Sequence, residues 1–321
     1  MIQTRLRSSF IYLANAVNDL RNNWRLLAMV LAPLAAIAAF CLLPDAINFQ
    51  HRLASAFDSN AHNIGLSLIQ EPYVPDRNPA ADVVPPWLTK TLHLLFLLIT
   101  IAINLVVLVA LDELRKGRER GDPLADAVRI YTRAIKLAPA FAWVWILQHG
   151  VTVAGVLLFL FFAERAPSPF GAIVLASIVI VIIGALLYAW LYFAQYALIF
   201  DGRRSWYALL HSRELMRKRF FKVATRIVVF MAIWSGYNSW TSIVFAVISV
   251  LIGPVGYMAG SVWAALLLID LGAMSVTFAT TAFFLAAGGR LYHDLKAELA
   301  DAATESIETI PPTIPLGNAA L

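Results

Sequence analysis

The sequence predicts an all-α polytopic membrane bundle: six transmembrane helices, with cytoplasmic interfacial amphipathic helices arranged as a threefold repeat. Three observations carry this expectation. Charged residues make up 14% of the 321 residues, where a soluble domain has about a quarter. The mean hydropathy is +0.72. The apolar residues gather into runs of roughly 20, the length a helix needs to cross the hydrocarbon core. A soluble globular fold is excluded by the same arithmetic.

The elements follow in order. Residues 1–25 are expected to form an amphipathic cytoplasmic helix, because Phe10, Leu13, Val17, Leu20 and Trp24 recur at alternating three- and four-residue steps and share one face. A transmembrane domain over 26–287 follows, with spans at 26–43, 92–111, 137–163, 171–200, 223–252 and 261–287. The longer spans must tilt or continue into water as helix, the fourth and fifth above all. Residues 288–321 are expected to close the last helix and then form a disordered, Pro-rich tail. The apolar run after Arg25 begins too late for a cleaved signal. Cys41 is the single cysteine and has no intramolecular disulfide partner.

Orientation comes from the basic residues, which are retained on the cytoplasmic side of a span. Of 25 Lys and Arg, only Arg52, Arg77, Lys90 and Arg165 fall on one side, and the other 21 fall on the opposite side. The termini and segments 112–136 and 201–222 are therefore expected in the cytoplasm, and loop 44–91 outside, as in a multi-pass protein of a bacterial inner membrane. The pI of about 9.4 then reflects attraction to anionic lipid headgroups on the cytoplasmic face. No nucleic-acid motif accompanies it. Loop 44–91 and the C-terminal tail are the expected places for a protein partner.

A repeat underlies the threefold pattern. The stretch LANAVNDLRNNWRLLAMVLAP from Leu13 aligns without gaps to LADAVRIYTRAIKLAPAFAWV from Leu124. A looser copy begins at Ser205 and leads into the fifth span. Each copy reads as an interfacial helix followed by a transmembrane hairpin. In the second, Leu124, Val128, Tyr131 and Ile135 share a face while Arg129, Arg133 and Lys136 point elsewhere; Asp122 and Pro123 form a cap and first turn. The competing reading makes these stretches plain extensions of the spans.

The string ALIFDGRRSWYALLHSRELMRKRFFKV resembles part of the membrane domain attached to some bacterial glycerophosphoryl diester phosphodiesterases, and of related uncharacterised six-span inner-membrane proteins. Its acidic-Gly step is Asp201 and Gly202, its central serine Ser212, its basic turn Arg217 to Arg219. A closing element with Tyr292, Asp294, Leu295 and Lys296 is similar to that family's end of the last span. The resemblance implies six helices and no known chemistry. No stretch is long enough for the phosphodiesterase barrel, so no catalytic residue carries over.

Candidate sites are few. Asp270 is the one carboxylate deep in an apolar run, and an ionised carboxylate there costs at least about 2.5 kcal/mol unless it faces the bundle interior or pairs. It is expected about 18 residues, or roughly 27 Å, from the cytoplasmic end of its span. Asn238, His149 and Asn104 complete a candidate polar layer for a ligand or transported solute, against which stands ordinary polar packing. The basic turn Arg217, Lys218, Arg219 and Lys222 is the candidate for lipid headgroups, with positive-inside topology as its competing explanation. His51, Asp58 and His62 fall on one helical face by spacing but make a weak metal set, since zinc sites need three or four well-supported ligands. No cofactor is expected. The phosphate-binding loop, the GxSxG serine turn, HExxH and CxxC are all absent from the sequence.

These readings point to a non-enzymatic membrane scaffold or accessory subunit in envelope or lipid homeostasis. The alternative is a permease built around Asp270, Asn238 and His149.

Overall fold

The computed structural model describes residues 6–48, 83–116, 122–163, 170–217, 219–258 and 262–308. Among these residues no strand occurs. The helices are α1 (Ser9–Cys41), α2 (Pro86–Arg115), α3 (Pro123–Ala163), α4 (Phe170–Leu191), α5 (Ala194–Phe200), α6 (Ser205–Arg217), α7 (Phe220–Met258) and α8 (Val262–Glu308). Six are long and apolar enough to cross a membrane: those through Ser9–Asn48, Pro86–Arg115, Pro123–Gly155, Ile178–Phe200, Phe220–Ser249 and Trp263–Asp301. The protein is an all-α, multi-pass membrane bundle.

The helix ends follow local chemistry. Pro85 and Pro86 open α2, where a missing N–H is harmless. Asp122 accepts the Leu124 N–H at 3.1 Å and Pro123 begins α3, as the sequence predicts. After α5 the chain turns at Gly202, whose φ of 63° is the left-handed conformation that glycine adopts without a Cβ penalty.

Two amphipathic stretches differ from expectation. Helix α1 runs unbroken from Ser9 through the first span, and α3 runs unbroken from Pro123 through the third. Neither stretch is a separate interfacial helix, because no glycine or loop separates the amphipathic and apolar parts, and Pro33 and Pro139 lie inside the helices without ending them. Only the third copy, α6, is a helix of its own. The fourth span breaks at Tyr192–Phe193 and resumes as the short α5.

The chain divides into two compact units. The first comprises Met1–Asn18, Trp143–Val229 and Ala286–Leu321; the second comprises Asp19–Ala142 and Phe230–Leu285. The first unit has an aromatic core around Tyr12, Phe193, Tyr196 and Tyr292, each almost fully buried. In the second, Val106 to Leu111 of α2 are buried together, a run apolar on every side as a central membrane helix must be.

Candidate functional site

In the first unit, polar groups gather where α4 breaks. Unpaired backbone groups are costly at membrane depth, and a side chain takes them up here. Ser212, fully buried on α6, donates its hydroxyl to the Trp190 carbonyl at 2.8 Å and accepts the Phe193 N–H at 3.2 Å. The small serine therefore lets α6 lie against the break.

Just beyond, Asp201 accepts from the Tyr292 hydroxyl and from Lys296 Nζ, both at 2.7 Å. Burial pushes its carboxyl up, but the hydrogen bonds from Lys296 and Tyr292 outweigh this and hold it below its ordinary value. The acidic-Gly step and the closing aromatic element, some ninety residues apart in sequence, thus meet at one carboxylate. Gly288 lies one helical turn before Tyr292, and a Cβ there would collide with the Tyr192 and Tyr196 hydroxyls.

His211 sits in the same neighbourhood at 5% exposure, its ring edge toward Tyr292. Neither ring nitrogen has a hydrogen-bond partner among the described residues. The Glu214 carboxylate is 3.7 Å from Nδ1, beyond hydrogen-bonding reach. Burial, then the charge of Arg203, holds this imidazole below its ordinary pKa, against the opposing pull of Asp201 and Glu214.

A second set of bonds ties down the start of the chain. Glu298 accepts the Leu6 N–H at 3.0 Å and pairs with Arg219. The Tyr12 hydroxyl donates to Asp294 at 2.9 Å, and Arg226 donates to the Arg7 carbonyl. In the basic turn, the Arg219 charge is thus neutralised by a carboxylate that is 3% exposed. Arg217 and Lys222 remain exposed, while Lys218 lies outside the described residues.

His149 is flanked by the Trp145 and Tyr188 rings, with centroids 4.6 and 5.1 Å away. Its neighbour Gln148 is 1% exposed, and neither amide atom has a partner among the described residues. Helices α3 and α4 approach closely here, because Gly184 lies against the Thr152 backbone and Gly155 against Ile180.

In the second unit, Asn104 donates to the Thr100 carbonyl of its own helix at 3.2 Å. Asn238 has a buried amide oxygen without a partner among the described residues. Asp270, on α8, is half-buried and feels the negative charge of Asp45. Asp45 in turn contacts His93 Nε2 at 2.6 Å. Asp45 and His93 were not apparent from the sequence, since each sits alone in its own segment and only the fold brings them together. His51, Asp58 and His62 lie outside the described residues, and among the described residues no group of three metal-ligating side chains forms.

Two cavities open in the second unit. One, of about 330 Å³, lies between α1 and α8 and includes Trp24, Leu31, Ser275 and Ala279 in its lining. The other, of about 380 Å³, lies between α7 and α8 and is lined by Ile233, Tyr237 and Phe283 among others. Neither is lined by Asp270, Asn238 or Asn104.

At the other end of α2, the buried Asp112 and Glu113 both pair with Arg133, at 2.5 and 2.8 Å, and Arg129 pairs with Asp126 at 3.0 Å. The arginines that point away from the apolar face of the second repeat are thus largely neutralised.

The chain matches no family model, no curated protein and no solved structure. Most of the polar groups above close a helix break, a helix start or an inter-helix contact.

Proposed function

We propose that this protein is a non-enzymatic scaffold or accessory subunit of a bacterial inner membrane, working in envelope or lipid homeostasis, with both termini cytoplasmic. One observation carries the reading. Asp270, Asn238 and Asn104 line neither of the two cavities described in the second unit, and Asn104 is engaged with its own helix. The lopsided basic residues support the orientation. The resemblance to phosphodiesterase membrane domains fits a lipid-side role, and loop 44–91 and the tail remain the proposed sites for a partner. The test is reconstitution of the purified protein in liposomes loaded with solutes and labelled phospholipids. The expected result is no movement above empty vesicles; solute or lipid transfer by the protein alone would sink the proposal.

A second reading is favoured by the Asp45–His93 contact beside Asp270. A carboxylate–imidazole pair near a membrane carboxylate is suited to proton exchange. This permease would use Asp270 with Asp45 and His93 rather than with His149. It requires that Asp270→Asn leave the protein level unchanged and abolish a transport phenotype.

A further inference from the structure

The cavity between α1 and α8 has walls of a particular kind. From Leu20 to Ala35, α1 turns alanines and leucines toward it, and α8 contributes Ser275, Ala279 and Ala282. The groove exists because the alanine side chains end at Cβ. Ser275 is the one polar residue in its lining, and its hydroxyl already donates to the Leu271 carbonyl at 2.8 Å. A hydrophilic solute would find few hydrogen-bond partners on these walls, and its unpaired groups would oppose entry. The groove suits hydrocarbon.

The mouth of the groove is different. Trp24 stands there 60% exposed, and the Arg25 guanidinium lies 5.7 Å from the centroid of its ring. Arg21 is one turn earlier on the same helix. Both arginines are exposed, and neither pairs with a carboxylate among the described residues. Indole and guanidinium together mark the depth of the headgroups. The stretch from Leu20 to Ala35 rises about 22 Å, enough to accompany an acyl chain through one leaflet of a core roughly 30 Å thick.

We infer that the α1–α8 groove binds one anionic glycerophospholipid from the leaflet at the basic end of the molecule. One acyl chain lies along Ala28, Leu31 and Ala279, and the phosphate is held by Arg21 and Arg25. The volume of about 330 Å³ falls in the range of small-ligand sites. Apolar walls that lead to two exposed arginines match an acyl chain ending in a phosphate, which is why a phospholipid is preferred to a second protein helix. The inference deepens the lipid-side function proposed above and rests on it for its biological meaning.

The experiment uses full-length protein extracted from vesicles of phosphatidylethanolamine and phosphatidylglycerol, with retained lipid weighed by native mass spectrometry. Wild type is expected to hold one phosphatidylglycerol. Ala279→Phe and, from the opposite wall, Ala28→Phe fill the groove and should lower retention at least about tenfold, a shift of about 1.4 kcal/mol, while the melting temperature of each variant certifies folding. Arg21→Gln with Arg25→Gln should leave a lipid bound and remove the preference for phosphatidylglycerol. Retention unchanged in folded groove-filling variants would overturn the site. So would a dimer dissociated by Ala279→Phe, which would assign the groove to a second copy. Lipid transfer in the liposome assay with retention intact would defeat the scaffold reading and leave the site standing.

Discussion

Ser212 shows how much one small hydroxyl can decide. It serves two backbone groups released where α4 gives way to α5, so Ser212→Ala leaves both unpaired in a buried place. The expected loss is about 1–3 kcal/mol, read as a lower melting temperature in detergent. Two nearby residues set the acid response. Asp201 has its folded-state pKa below the ordinary 3.8, so its pairing stabilises the fold above that value and is lost as the pH falls through the lowered one. Asp201→Asn should flatten that acid limb. His211 behaves separately. Its folded-state pKa lies below 6.5, so the unfolded chain binds the proton first and stability declines as the pH drops below 6.5. His211→Phe should remove that decline below pH 6.5; a variant that melts with the wild-type acid profile would refute the assignment. The serine and Asp201 stand in quoted sequence motifs. Their partners, Trp190, Phe193 and Tyr292, became visible only when the break folded back on α6 and α8.

At the scale of elements, packing turns on places where a helix offers no side chain. Gly288 brings α8 against Tyr192 and Tyr196, and those buried rings have little freedom to move. Gly288→Ala should cost about 1–3 kcal/mol through overpacking, while a substitution at Gly236, where a Cβ meets nothing, should have little effect. Melting of the two variants side by side checks this. The repeat of Leu13 and Leu124 was legible as sequence, as was the cap at Asp122. What the periodicity could not say was whether an amphipathic stretch ends before its span. An α-helix continues through a change from amphipathic to apolar unless a breaker stands between, and none stands before Leu26 or Leu137. The competing reading, extension of the span, describes α1 and α3.

For the whole molecule, topology is the property most exposed to test. Cys41 is fully buried, so it should leave the background of thiol labelling low. With the proposed orientation, a cysteine at Val83 should react with a membrane-impermeant maleimide in intact cells, and one at Arg213 should react only after permeabilisation. The reverse pattern would invert the orientation.

The sequence by itself determined that this is a six-span helical membrane protein, because hydropathy and the distribution of charge act residue by residue and need no partner. It also singled out Asp270 as an expensive carboxylate. Tertiary structure alone decided which polar groups meet: Asp201 with Tyr292 and Lys296, Arg219 with Glu298, and Asp45 with His93. It also decided that α1 and α8 leave an apolar groove beside Arg21 and Arg25, which pair with no carboxylate among the described residues. Such contacts join helices far apart in the chain, and at membrane depth nearly all helices have the same apolar surface. Their pairing is set by small residues and rare polar groups in three dimensions, which no local pattern encodes.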